Sequence, residues 1–296
     1  MKVTLPVWSA ASWLLTSSST PRDNRSGSSL TLYSAVDDSS FLSTTQTNND
    51  DDHDVSSFVQ NLPPLTKDSK RIVLLRHGET DFNLQGKLQG GGHDLDLNER
   101  GHQQAYAVQK ALKGYPAQVI ASSHLERAYQ TADVVQQAFF TAADRPVRVI
   151  DHKFGEMRFG MFEGTRIRPS RVPSDEDEHR EVEASRRRYL DFQNNILFQN
   201  KHVPWPGGGE SVAQLEERAM KGLDTLLSQF PNADSFCIVA HGRFNKLLLR
   251  HLLGLSGYNS LEQGNACINV LDVDGDGKWK ARVINHMDHV HAVEYN

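Results

Sequence analysis

Two short segments of the sequence place histidine and glycine directly after an apolar run. The first, VLLRHG, contains Arg76 and His77, and the second, IVAHGR, contains His241. A buried strand gains nothing from an arginine or a histidine at its end, so we expect these side chains to serve a ligand. A neutral imidazole is a competent nucleophile at phosphorus, and a guanidinium presents paired donors that match phosphoryl oxygens. The two segments therefore predict a site that holds and attacks a phosphoryl group.

A third segment, SSHLERAYQTA, adds Arg127 near the start of a helix. Arginines and a second histidine can stabilise the charge on the phosphoryl oxygens without a metal ion. Taken alone, Arg127 would be interpreted as part of a helix ion pair, and each histidine as a core residue. The repetition of His-Gly after two apolar runs favours a site instead.

A nucleophilic histidine also needs an acid that protonates the departing oxygen. The segment FGEMRFGMFEG contains two candidates, Glu156 and Glu163. Their spacing alone does not choose between them.

The elements that must position these residues alternate along the chain. Runs of strand length lie at 71–75, 118–121, 147–150, 236–240, 268–273 and 281–285, and helical patterns lie at 99–112, 125–140 and 211–230. Ser211 with Gln214, and Ser123 with Glu126, are typical of capping boxes at two helix starts. Alternating strands and helices predict an α/β fold, a three-layer α/β/α sandwich with a mainly parallel central sheet. Ligands bind beyond the carboxyl ends of such strands. Residues 166–200 predict a small charged helical insertion over the sheet.

The chain is expected to divide into two parts. Residues 1–69 are rich in Ser, Thr, Asn and Asp, and predict a disordered N-terminal extension that buries too little apolar surface to fold. Residues 70–296 predict one domain. The first twenty residues are a weak targeting signal interrupted by Pro6. We expect a cytoplasmic protein. The alternative is that the first residues direct it to an organelle or to secretion, and they could equally be a disordered extension without a targeting role.

Composition excludes several classes of function. The net charge is −5, and no basic stripe indicates nucleic acid. No later segment reaches the roughly 18 apolar residues of a membrane span. Cys237 and Cys267 lie in apolar runs without metal-site spacing and are expected to be buried free thiols. We therefore expect no metal, no cofactor and no membrane or nucleic-acid partner, but a small phosphorylated metabolite as substrate. Oligomeric state is not predictable.

Three other segments favour ordinary structural roles. DVDGDG at 272–277 resembles a calcium loop, but Val283 replaces the glutamate required at the twelfth position, so a hairpin turn is expected. NHMDHVH at 285–291 could bind a metal by composition, but a position at the rim of the site or on the surface is expected instead. The arginines at 186–188 are expected on a solvated helix face, with binding of a second anionic group of the substrate as the alternative.

Five segments together resemble a known family, the histidine phosphatase superfamily, also called phosphoglycerate-mutase-like. They are LLRHGETDFN, SSHLERAYQTA, FGEMRFGMFEG, PGGGES and VAHGRFNKLLL, in the family's order, and the resemblance covers about residues 71–296. It implies that His77 is the phosphorylated nucleophile and Glu156 the general acid, with Phe154 in place of the family's leucine. It also implies a phosphate pocket formed by Arg76, Asn83, Arg127 and His241.

What the resemblance implies is a metal-independent phosphomonoester hydrolase, a phosphatase of the histidine acid type. The moderate insertion, acidic around 175–178, and the PGGGES loop favour this branch over the mutases. The alternatives are a cofactor-dependent phosphoglycerate mutase, which needs a bisphosphorylated primer, and a catalytically silent phosphate-binding scaffold.

Overall fold

The computed structural model describes residues 57–139, 145–168, 176–197, 199–256 and 261–294. The predicted N-terminal extension lies outside the described residues up to position 56. The strands are β1 (Lys70–Arg76), β2 (Val119–Ser122), β3 (Val147–Ile150), β4 (Ser235–Ala240), β5 (Ile268–Val273) and β6 (Trp279–His286). The α-helices are α1 (Ser57–Gln60), α2 (Asp81–Leu84), α3 (Glu99–Ala111), α4 (Glu126–Val135), α5 (Glu176–Phe192), α6 (Val212–Gln229), α7 (Gly242–Leu252) and α8 (Asp288–Glu294). Short 3₁₀ segments occur at Gln136–Phe139, His152–Phe154 and Gly160–Phe162, and a π-helical turn at Gln193–Leu197.

The six strands form one mixed sheet in the order β3-β2-β4-β1-β5-β6. The pairings β2–β3, β2–β4 and β1–β4 are parallel, whereas β1–β5 and β5–β6 are antiparallel. The carboxyl ends of β1, β2 and β4 therefore meet at one edge of the sheet, as predicted.

Helices cover both faces of the sheet because successive strand residues point to opposite faces. On β1, Ile72 and Leu74 belong to the apolar cluster that includes α6 and α7. Val73 and Leu75 belong to the cluster that includes α3 and α4. Both faces are thus apolar, which is the pattern of a sheet buried between two helical layers. The predicted three-layer sandwich is confirmed.

The charged insertion forms α5, which lies outside the sheet. Its Tyr189 ring stacks on Trp205, with centroids 5.1 Å apart and planes 10° apart. The neighbouring arginines at 186–188 are exposed, and Arg186 lies 3.6 Å from Glu183. The solvated helix face predicted for these arginines is confirmed.

Of the two predicted capping boxes, only the one at α6 is confirmed. Ser211 Oγ accepts a hydrogen bond from Gln214 N at 3.1 Å, and Gln214 Oε1 accepts one from Ser211 N at 2.8 Å. At α4 the prediction was wrong, because Ser123 lies two residues before the N-cap, Leu125. Asp94 of the preceding loop accepts the Glu126 N–H instead, at 2.7 Å.

We expect the variant Ser211→Ala to lower the free energy of unfolding by about 1 kcal/mol, because the N-cap acceptor of α6 is lost. Urea denaturation monitored by circular dichroism measures this. Ser228→Ala, on an exposed position of the same helix, is the matched control and should not be destabilised. Equal stability of the two variants would contradict the capping role.

Two further predictions about local structure are confirmed. Cys237 and Cys267 are buried free thiols, and burial raises the pKa of Cys267 to about 11. Strands β5 and β6 are joined by a hairpin in which Asp274 N donates to Lys278 O at 3.1 Å. Asp274 Oδ1 accepts a second bond, from Lys278 N at 2.8 Å, which closes the turn.

Within the described ranges, no helix is both long and apolar enough to cross a membrane.

Candidate active site

The register of the sheet brings the two histidines of the His-Gly segments together. Arg76 pairs with Ala240 at the end of the parallel β1–β4 ladder, so the residues that follow, His77 and His241, leave the sheet side by side. Their ring centroids are 5.2 Å apart. The two predicted strand ends therefore form one site.

The tautomer of His77 follows from its hydrogen bond. Nδ1 lies 2.6 Å from Gly78 O, and a carbonyl oxygen can only accept, so Nδ1 carries the hydrogen. The Nε2 lone pair is therefore left for chemistry. Burial, followed by the charges of Arg127 and Arg76, lowers the pKa of His77 well below its usual value. The imidazole is thus neutral at physiological pH.

The glycines after the two histidines make room for protein groups. A Cβ on Gly78 would overlap the carbonyl oxygen of Gly101 in α3, and Gly78 N donates to Thr131 Oγ1 of α4 at 3.0 Å. A Cβ on Gly242 would lie 3.2 Å from Arg76 Nε. These glycines let the strand ends fit against α3 and against the arginine.

Two buried arginines flank His77, each anchored on backbone carbonyl oxygens. Arg76 Nη1 donates to Gln263 O at 2.7 Å. Arg127 donates from Nη1 to His93 O and from Nη2 to Gly90 O, both at 2.9 Å. Burial lowers the pKa of each guanidinium to about 10, so both remain charged at neutral pH.

Four buried polar atoms around His77 have no hydrogen-bond partner among the described residues. They are Arg76 Nε, Arg127 Nε, and both ring nitrogens of His241. An unsatisfied buried polar group costs about 1–3 kcal/mol. Three of these four nitrogens carry a hydrogen even when the His241 ring is neutral, so they indicate a ligand with several acceptor atoms. Burial, the charge of Arg127 and the adjacent His77 lower the pKa of His241 well below its usual value. The negative charge of a bound anion would oppose this lowering of the His241 pKa.

Glu156 connects the site to the start of α7. Its Oε2 accepts a hydrogen bond from Arg243 N at 3.0 Å. Its Oε1 accepts two, from Phe244 N at 2.9 Å and from Met157 N at 2.8 Å. Glu156 also lines the cavity in front of His77. These three hydrogen bonds fix the orientation of the Glu156 carboxyl group.

Glu163, the other candidate acid, has different neighbours. Its Oε1 accepts a hydrogen bond from Phe159 N at 2.8 Å. Its carboxylate lies against Gly90 and Gly92, where any Cβ would collide with it. It is absent from the described lining of the cavity. The structure therefore separates the two carboxylates between which the spacing did not choose: Glu156 lines the cavity, and Glu163 is not among its described lining residues.

Asn83 reaches the same cavity from α2. Its Oδ1 accepts hydrogen bonds from Thr80 N at 3.3 Å and from Asn265 Nδ2 at 2.9 Å, which fixes the orientation of the amide. All six predicted site residues are thus brought together: five line the cavity, and His241 lies buried against His77.

The cavity has a volume of about 840 Å³. Part of the segment 285–291 lines it, so the rim position predicted for that segment is confirmed.

Sequence reasoning missed four basic lining residues, namely Lys87, Arg168, Arg243 and Lys246. For Arg243 the signal was an arginine directly after the second His-Gly. Arg168 is brought to the cavity only by the fold. Within the described part of the chain, no group of three or more His, Cys, Asp or Glu side chains is arranged to hold a metal ion.

Comparison with known proteins identifies the family. The model of the "Histidine phosphatase superfamily (branch 1)" matches residues 72–286. The "Metal-independent phosphoserine phosphatase" of Arabidopsis thaliana is 30% identical over 225 residues, which are 76% of this chain and 84% of that protein. The "Phosphoglycerate mutase-like protein 4" of the same plant is 29% identical over 230 residues, covering 75% and 88%.

A solved structure has the same fold. The mycobacterial glucosyl-3-phosphoglycerate phosphatase in complex with VO3 superimposes with a TM-score of 0.58 and 27% identity, covering 73% of this chain and 98% of that one. Together with the family model, which matches well over half of the chain, this likeness shows that the chain belongs to the histidine phosphatase superfamily.

Proposed function

We propose that this protein hydrolyses phosphomonoesters of small metabolites through a phosphohistidine formed at His77, without a metal ion. The observation that carries the proposal is the buried, neutral His77, whose Nε2 is free while its Nδ1–H is bound to a carbonyl oxygen. The unsatisfied nitrogens of Arg76, Arg127 and His241 surround this nucleophile. They match the oxygens of a phosphoryl group.

In the first step, the Nε2 lone pair of His77 attacks phosphorus and the P–O ester bond breaks. The departing oxygen takes a proton from Glu156, so the alcohol leaves neutral. Arg76, Arg127, His241 and Asn83 hold the three equatorial oxygens, where the transition-state charge lies.

In the second step, water attacks the phosphohistidine and the P–N bond breaks. Glu156, now a carboxylate, takes the proton of that water. Inorganic phosphate leaves, and His77 returns to its neutral form with Nδ1–H still bound to Gly78 O.

The alternative within the family is a mutase, which the name of the second plant relative favours. A mutase must keep the phosphorylated histidine from water until a second substrate oxygen arrives. The acidic stretch at 175–178, of which 176–178 form the start of α5, favours hydrolysis. A silent phosphate-binding protein would be expected to have lost at least one of His77, Arg127, Glu156 and His241.

The test measures release of inorganic phosphate from p-nitrophenyl phosphate, 3-phosphoglycerate and several sugar phosphates. Release from at least one of them is expected. If none is cleaved, conversion of 3-phosphoglycerate in the presence of 2,3-bisphosphoglycerate identifies a mutase. Absence of both activities would overturn the proposal and leave a binding protein.

Phosphate release is expected to be unchanged by EDTA, because protein cations alone stabilise the phosphoryl charge. The name of the first plant relative, which includes the words metal-independent, supports this expectation. The measurement compares turnover of the purified protein before and after prolonged dialysis against EDTA, with a metal-dependent phosphatase treated in parallel. A large loss that added divalent cations restore would contradict the metal-free mechanism.

A further inference from the structure

The cavity carries more positive charge than one phosphoryl group requires. The described lining contains six Lys and Arg side chains and three Asp and Glu side chains, in a chain whose net charge is −5. Two of the six cations, Arg76 and Arg127, flank His77. One of the three carboxylates, Glu156, is already bound by backbone N–H groups of α7. Four cations therefore remain among the other lining residues, against two carboxylates.

Two of these cations, Arg243 and Lys246, lie near the N-terminal end of α7, where a helix disfavours positive charge. Arg243 lies in the first turn of α7 and Lys246 follows three residues later on the same helix face, so like charges are neighbours. The N-terminal end of a helix is electrostatically positive and favours carboxylates, yet the first turn of α7 contains none. The helix gains no stability from this arrangement, which indicates a role towards a ligand.

Arg243 is held rigidly without being neutralised. Its Nη2 donates to Tyr189 Oη at 2.8 Å and to Gln193 Oε1 at 2.6 Å. Its guanidinium carbon lies 5.8 Å from the centroid of the Phe159 ring. Both hydrogen-bond acceptors are uncharged, so the full positive charge remains available to the cavity. A pre-organised guanidinium loses little entropy when it binds an anion.

Lys246 is half-buried and lines the cavity. Burial, followed by the charges of Arg243, Arg168 and Arg76, lowers its pKa to about 8, while the carboxylate of Glu262 opposes the shift. Three cations from α7, β1 and the loop after Phe162 thus act on one ammonium, against a single carboxylate. An anion among these groups would relieve the repulsion.

We propose that Arg243 and Lys246, which line the cavity together with Arg168, form a second anion site that takes a carboxylate or a second phosphate group of the substrate. The proposal rests on the hydrolase function proposed above and narrows its substrate to phosphomonoesters with a second anionic group. Arg243 and Lys246 line the same cavity as Arg76 and His77. One substrate molecule can therefore place an anionic group at each site.

The experiment compares kcat/KM for substrate pairs that differ in the second anion. 3-Phosphoglycerate is paired with glycerol 3-phosphate, which lacks the carboxylate, and fructose 1,6-bisphosphate is paired with fructose 6-phosphate. The wild-type protein should prefer the doubly anionic member of at least one pair, and the pair that shows the preference identifies the second group as carboxylate or phosphate.

In the variants Lys246→Gln and Arg243→Gln this preference should fall by about 10-fold to 100-fold, the usual effect of losing one charged hydrogen bond. Lys221→Gln, on an exposed position of α6 outside the cavity, is the matched control and should keep the wild-type preference.

A pH profile tests the same site independently. Because kcat/KM reports ionisations of the free enzyme, the wild-type preference should weaken as the pH rises above about 8, where Lys246 loses its charge. Lys246→Arg should retain the preference and extend it to higher pH, since arginine stays protonated there.

The outcomes separate the two proposals. If no ester releases phosphate, the proposed hydrolase fails. If phosphate is released but the wild type does not prefer the doubly anionic esters, or Lys246→Gln keeps the preference, the second anion site is overturned while the hydrolase stands.

Discussion

Replacement of His77 by alanine is expected to lower kcat for phosphate release by about 10⁴-fold or more, the scale of losses seen when a covalent nucleophile is removed. The loss follows because His77 is the imidazole whose Nδ1–H is held by Gly78 O, which leaves its Nε2 lone pair for the attack. His241 lies beside it, but no hydrogen bond to a described residue fixes the tautomer of its ring. Phosphate release from the best substrate, with wild type and variant side by side, measures the effect.

Two controls make the His77→Ala result specific. Urea denaturation shows whether the variant is folded, and binding of vanadate should persist because Arg76, Arg127 and His241 remain. His102→Ala, on α3 and outside the described cavity lining, should keep wild-type turnover. If folded His77→Ala retains more than a few per cent of turnover, the nucleophile lies elsewhere.

Glu156→Gln is expected to lower kcat/KM by about 10²–10⁴-fold on alkyl phosphates, the usual range for loss of a general acid. The loss should be much smaller on p-nitrophenyl phosphate, because nitrophenolate departs without protonation. This dependence on the leaving group separates proton donation from the second role of Glu156, which is to accept the N–H groups of Arg243 and Phe244. A purely structural effect would lower kcat/KM for both ester types equally.

Glu163→Gln is the matched control for this experiment. Its carboxylate accepts the Phe159 N–H and lies against Gly90 and Gly92, so no dependence on the leaving group is expected. If Glu163→Gln, and not Glu156→Gln, shows that dependence, the acid has been assigned to the wrong residue.

Much of the site was predictable, because its residues lie in short sequence motifs and because the pairing of parallel strands brings those motifs together. Apolar runs that end in His-Gly indicate strand ends, and parallel strands bring such ends to one edge of the sheet. The pairing of Arg76 with Ala240 then places His77 beside His241. The start of α6 was predictable for a similar reason, since Ser211 and Gln214 are only three residues apart.

The features that sequence reasoning missed depend on contacts between distant segments. Asp94, rather than Ser123, accepts the first N–H of α4, and only the folded loop places it there. The family resemblance already implied Glu156 rather than Glu163, but the N–H groups of α7 that bind its carboxylate are placed only by the fold. Arg168 is brought to the cavity from the insertion, the least regular part of the predicted fold.

The central claim is the phosphohistidine at His77, and trapping it is the most direct test. The protein is mixed with ³²P-labelled substrate, quenched in alkali within a turnover, digested and analysed by mass spectrometry. We predict one labelled peptide that contains His77, with a phosphate that is stable to base, labile to acid and absent from His77→Ala. Phosphate on a serine or another histidine, or turnover by direct attack of water with no labelled protein even in rapid-quench samples, would contradict the account.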